Sequence, residues 1–170
     1  HKGPYNPLTG KQAESVAQLL LRLKDYSRAK PYLLDALISA GMRQSAWGGE
    51  TRGDEEGSEA LRSVQAIVDN ILNAHRETED RDGLSQYVDG LHALVQNAKT
   101  RGLSAIDPMG YEGLVFKSAM AIVASGTPDS PREALQLVDN ARTGAPGEFQ
   151  GQMLATLIDS LVALPASKRP

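Results

Sequence analysis

Ser130-Pro131-Arg132-Glu133-Ala134-Leu135-Gln136-Leu137-Val138-Asp139-Asn140-Ala141-Arg142-Thr143-Gly144 reads as one helix with a start, a stripe and a stop. Ser130 stands where a hydroxyl accepts from the free N–H groups of a first turn, and Glu133 has the spacing that closes a capping box. Pro131 falls at the first helical position, where a missing N–H costs nothing. Ala134, Leu137, Val138 and Ala141 share one helical face, and Gly144 offers a left-handed stop.

The same pattern spreads outward from this stretch. Upstream, Asp107-Pro108 reads as an N-cap and first-turn proline, opening a helix to about Ala124. From Leu114 to Val123 that helix is apolar on most sides, with Lys117 and Ser118 as interruptions, which places it centrally. Before it, Leu84, Tyr87, Val88, Leu91, Leu94, Val95 and Ala98 recur at i, i+3, i+4 and i+7 spacing. Gly90 inside this run costs about 1 kcal/mol against alanine and points to a close helix crossing. Leu61, Val64, Ile67, Val68, Ile71, Leu72 and His75 form another stripe, expected to start at Ser58 as cap. Downstream, Phe149, Met153, Leu157, Leu161 and Val162 form the last one, after a restart at Pro146.

The first part of the chain supplies two more helices. Thr9 and Gln12 have capping-box spacing, and Val16, Leu19, Leu20 and Leu23 mark the expected core face of a helix over about 10–24. A polar turn is expected from Asp25 to Lys30, and Pro31 then opens a helix carrying Leu33, Leu34, Leu37 and Ile38 as far as Gly41. Residues 1–9 read as an extended segment and 165–170 as a tail. Gly48 to Ser58 (GGETRGDEEGS), glycine-rich and acidic, reads as a long flexible loop unable to bury a face. The expectation is an all-α bundle of about seven amphipathic helices, mostly antiparallel neighbours, forming a single domain over 1–170.

Composition narrows the chemistry. The chain has 170 residues, 41% hydrophobic and 23% charged, the balance of a soluble globular protein. Aromatics are only 5%, so the core must be built from Leu, Val, Ile and Ala. A net charge of −3 does not favour nucleic acid as a partner. With no cysteine there are no disulfides, no thiolate catalysis and no sulfur-ligated metal. No apolar run approaches the roughly 20 residues of a membrane span. The start at His1-Lys2-Gly3, without methionine, reads as a fragment of a longer protein, and the compartment is undetermined.

Catalytic and metal motifs find no support. His1, His75 and His92 have no i, i+4 pairing, and His75 reads as a structural cation at a helix end. Thr78 to Gly83 places Asp80, Asp82 and Gly83 at calcium-loop spacing, with Asp89 at the twelfth position. Thr78 and Asp89 are poor ends for such a loop, however, and a solvated turn is the better reading. Gly48–Ser58 lacks the Gly-Lys-Ser/Thr ending of a phosphate cradle, and no Gly-x-Ser-x-Gly elbow occurs. No cofactor, metal or enzymatic activity is expected.

Two segments resemble the helical unit of the tetratricopeptide repeat. Ala13, Val16, Ala17, Leu20, Tyr26, Ala29, Leu33 and Ala36 fall on its small and large apolar positions, and Ala134, Ala141 and Pro146 on its second-helix spacing. The resemblance implies a peptide-binding helical groove. It departs from the family at Pro31, in the middle of the chain and in the lack of a fixed period.

The expected function is non-enzymatic binding of another protein near residues 42–58. Trp47, the lone tryptophan, sits at the mouth of the acidic loop between Arg43 and Arg52, with Tyr32 on the preceding helix. Tryptophan is enriched at binding hot spots, although a buried anchor for the loop is the alternative role. Two other readings are a self-associating structural component, as in a viral or secretion apparatus, and a tetratricopeptide-like adaptor.

Overall fold

A computed structural model describes residues 7–42, 54–80, 82–142 and 148–163. The architecture is all-α. The described residues form α1 (Pro7–Arg22), α2 (Tyr26–Met42), α3 (Asp54–Glu77), a 3-10 turn (Asp82–Tyr87), α4 (Val88–Thr100), the short α5 (Leu103–Ile106), α6 (Pro108–Ala124), α7 (Ser130–Ala141) and α8 (Glu148–Val162). Helix α1 packs on α2, α2 on α3 and α4, α3 on α6, and α6 on α7 and α8.

Helix α6 is the hub, as its all-round apolarity predicts. Tyr111, Leu114, Val115, Ala119, Ala121, Ile122 and Val123 are buried. Its cap forms as expected: the Asp107 carboxylate accepts from Gly110 N–H at 2.9 Å. Gln65 of α3 donates to the Gly110 carbonyl at 2.7 Å, and Lys117 pairs with Asp69 at 2.7 Å, so two polar ties fix α3 along α6. The buried Tyr111 hydroxyl donates to the Ala141 carbonyl at 2.9 Å and ties the end of α7 to α6. Burial pushes that phenol up to about 12.

The face of α7 is as read, with Ala134, Leu137, Val138 and Ala141 buried, but its start is not. Ser130 is the first helical residue rather than the cap, so its hydroxyl turns back to donate to the Thr127 carbonyl at 2.9 Å. Glu133 then lies 3.3 Å from His92 of α4 instead of closing a capping box. The expected stop at Gly144 lies outside the described residues.

The first helix is corrected in start and in face. Pro7, Leu8 and Thr9 are already helical, so the extended segment does not reach residue 9. Ala13, Ala17 and Leu20 meet the bundle, whereas Val16, Leu19 and Leu23 are exposed. Small residues decide this. Ala13 and Ala17 are buried where α1 packs on α2, and small residues there suit a close approach of the two helices. Val16 is thus the outward member of the repeat-like pattern.

Helix α2 begins five residues before Pro31, where a polar turn was expected. Chain reversal after α1 needs only Leu23 and Lys24, with Lys24 left-handed at φ 57°. Asp25 N–H closes α1 on the Leu20 carbonyl at 2.8 Å, and the Asp25 carbonyl accepts the first α2 bond, from Ala29 N–H at 3.1 Å. Asp25 thus ends one helix and starts the next, leaving Pro31 inside α2 on its exposed side.

Three further boundaries differ. Asp54 to Ser58, expected as loop, are the head of α3, so Ser58 is not a cap. The acids there suit a helix N-terminus. Gly57 is buried: a Cβ on it would stand 2.9 Å from Ile106 Cγ2 and 3.2 Å from Leu103 Cδ2, so this stretch does bury a face, against α5. The helix expected from Leu84 is a 3-10 turn up to Tyr87, and α5 itself was not expected. The tail 165–170 and residues 48–53 lie outside the described residues.

Gly90 marks the close crossing that its sequence position implies. A Cβ there would lie 2.9 Å from Leu37 Cδ2 and 3.1 Å from its Cγ, and Leu37 is fully buried. Gly90→Val is expected to lower the unfolding free energy by about 2 kcal/mol, overpacking outweighing the gain in helix propensity. Urea denaturation, with an unchanged slope and a lower midpoint, checks this.

Candidate functional site

The expected binding surface is only partly within the described residues. Tyr32 lies on the outward side of α2, 39% exposed. Arg43, Trp47 and Arg52 lie outside the described residues, as does most of the segment 42–58.

Another cluster of ionisable groups is brought together where α3 ends. Helix α3 stops in a double turn: Asp80 N–H donates to the His75 carbonyl at 3.0 Å and Glu79 N–H to the Arg76 carbonyl at 3.2 Å, with Glu79 left-handed at φ 53°. This turn lays Asp80 back over His75. The His75 ring, 1% exposed, bonds through Nδ1 to the Asp80 carbonyl at 2.8 Å and through Nε2 to the Tyr87 hydroxyl at 3.0 Å. The Asp80 carboxylate accepts from Lys30 Nζ at 2.7 Å and from Gly83 N–H at 3.0 Å. Tyr87, also fully buried, reaches the Lys30 carbonyl at 3.2 Å.

Proton counting assigns the roles. A carbonyl can only accept, so His75 Nδ1 carries the hydrogen toward Asp80. In the neutral ring Nε2 is then the acceptor and Tyr87 donates to it. The one phenolic proton cannot serve Lys30 at the same time. Burial depresses the His75 pKa, the Asp80 backbone bond opposes this, and nearby Lys30 adds to the depression. His75 is therefore a buried neutral ring, which corrects its reading as a helix-end cation. Lys30 and then the Gly83 N–H hold the Asp80 carboxyl below its ordinary range. Burial pushes the Tyr87 phenol far up.

Acid, base and hydroxyl thus meet in one place, yet both rings are sealed from solvent. The arrangement joins α2, α3 and the 3-10 turn. Within the stretch read as a calcium loop, Thr78–Asp80 forms the stop of α3 and the Asp80 carboxylate is engaged by Lys30 and Gly83 N–H, while Arg81 and the Asp82 side chain lie outside the described residues. No group of three or more His, Asp or Glu placed to hold a metal occurs among the described residues.

Open surface lies elsewhere. A shallow trough of about 480 Å³ runs along α7 beside Arg132, Leu135 and Leu154. Another, of about 280 Å³, lies between α4 and α7 next to His92. The arginines of the first are occupied, Arg132 by Asp129 at 2.8 Å and Arg142 by Asp139 at 3.6 Å. The more distinctive surface is apolar: Leu19 and Leu23, read from sequence as core, are 57% and 67% exposed. The signal that could have found them was present, since Ala13 and Ala17 offer a competing small-residue face one position round the helix.

No family model, curated protein or solved structure matches the chain. No helix among the described residues is long and apolar enough to cross a membrane.

Two outcomes test the buried cluster. His75 folds with a pKa below its ordinary 6.5, so the unfolded chain binds the extra proton first. Stability is therefore full above pH 6.5 and falls as pH drops through the window beneath it. Asp80, depressed below 3.8, adds a loss in the same direction at lower pH. Chemical denaturation at a series of pH values reads the slope, and His75→Gln should remove its upper part. Tyr87→Phe leaves Nε2 buried without a donor and should cost about 1–3 kcal/mol in the same assay at pH 8.

Proposed function

We propose that the chain is a non-enzymatic protein-binding module, whose partner meets the outward side of the α1–α2 hairpin and the segment 42–58. The observation that carries this reading is the exposed row Val16, Leu19 and Leu23, with Tyr32 exposed on the adjoining helix. Scattered exposed apolar residues need no explanation, but a row at helical spacing forms a surface that water solvates poorly. The surrounding charge supports a macromolecular partner with acidic and apolar features, since Lys11, Arg22, Lys24 and Arg28 are all exposed there. Trp47, Arg43 and Arg52 extend the proposal on sequence grounds, as one aromatic between two cations. The sealed state of His75 and Tyr87 favours a binding role over catalysis.

A photoreactive residue at Leu19 tests the reading. In extract of cells that make the protein, it should cross-link to a polypeptide, whereas the same residue at exposed Glu59 of α3 should not. Equal labelling at both positions, or turnover of a small molecule by the purified chain, would overturn it. Trp47→Ala separates contact from anchor: loss of capture with an unchanged melting curve makes Trp47 part of the surface.

A further inference from the structure

Two helices carry a second row of outward residues, apolar except for Gln12, that the bundle leaves uncovered, and the rows match in spacing. On α1 and the turn after it, Gln12, Val16, Leu19 and Leu23 face outward; on α8, Gly151, Ala155, Ile158 and Val162 do. Both rows advance by four, three and four residues, the spacing of a helix–helix seam. Ile158 and Val162 are 51% and 57% exposed.

Charge and size are complementary as well. Residues 7–24, α1 and the turn after it, carry Lys11, Arg22 and Lys24 against Glu14, a net +2, while residues 148–163 carry Glu148 and Asp159 and no basic residue, a net −2. Laid antiparallel, the rows set Leu23 against Gly151, Leu19 against Ala155 and Val16 against Ile158, so two large side chains of α1 meet small residues of α8. The same alignment puts Asp159 opposite Ser15, one turn from Lys11. Antiparallel helices also oppose their dipoles favourably. Within one molecule α1 packs chiefly on α2 and α8 on α6, so the two rows lie at opposite ends of the succession of packed helices.

We infer that the α1 row of one copy docks antiparallel on the α8 row of the next, a heterologous contact between copies of this chain. The inference rests on the protein-binding reading above and names the partner as a second copy. A head-to-tail contact leaves a free α1 at one end and a free α8 at the other, so assembly continues beyond a dimer unless the rotation closes a ring. A single helix–helix seam buries less than the roughly 1,200 Å² of a standard interface, so association is weak and is further weakened by salt.

Sedimentation velocity of the full chain, from low micromolar to near-millimolar concentration, tests this. The mean mass should rise with concentration at low salt. Leu19→Glu and Ile158→Lys, each at an exposed position, should each hold the chain at the monomer mass. An equimolar mixture of the two should return to twice that mass and no higher, because only one intact α1 row and one intact α8 row remain to meet. Leu23→Glu and Val162→Lys serve in their place if a melting curve shows either first variant unfolded. The inference is overturned by a wild-type chain that stays monomeric, by Ile158→Lys assembling like wild type, or by a mixture that stays monomeric. A monomeric wild type that still cross-links through Leu19 to a different protein removes self-pairing and leaves the binding function standing.

Discussion

The His75 ring, held between the Asp80 carbonyl and the Tyr87 hydroxyl, is the constraint on which the middle of the molecule depends. A buried imidazole is tolerable only when both nitrogens are satisfied. Meeting that demand fixes the stop of α3, the return of Asp80 and the pitch of the 3-10 turn. The turn in turn launches α4 with Gly90 against Leu37. Lys30 extends the hold to α2 through its ammonium on the Asp80 carboxylate. Four segments are thereby registered by contacts that are polar and directional, whereas the aliphatic core alone would accept more than one arrangement.

Around this fixed point the alanines set distances. Ala13 and Ala17 of α1, Ala29 and Ala36 of α2, and Ala119 and Ala121 of α6 are all buried. The chain has few aromatics, so the core is filled by close backbone approach. The bulky exceptions are the buried rings of His75 and Tyr87 and that of Tyr111 on α6.

Much of this was legible in the sequence. The all-α class, the face of α7, the Asp107 cap, the centrality of α6 and the meaning of Gly90 all follow from spacing. What was misread has common physical causes. Leu19 outranks Ala17 on any hydropathy count, but a close crossing selects the smaller residue. Asp25 and the acids of 54–56 look like loop composition, although both lie at helix starts, where orphan N–H groups welcome them. The site was legible only in fragments. His75 and Tyr87 each occupy a stripe position, and nothing in their spacing announces that they touch. Lys30 and Asp80 are fifty residues apart and meet only because α2 packs on α3.

Helix α8 has one further property. It leans mainly on α6, with Leu157 as its fully buried anchor, and the opposite side of its cylinder is oily too. A helix packed on one side and oily on the other is expected to open at lower free energy than the core, so its amides should exchange with solvent before those of α6. Peeling it back uncovers fresh apolar area on α6 while the remaining helices stay folded.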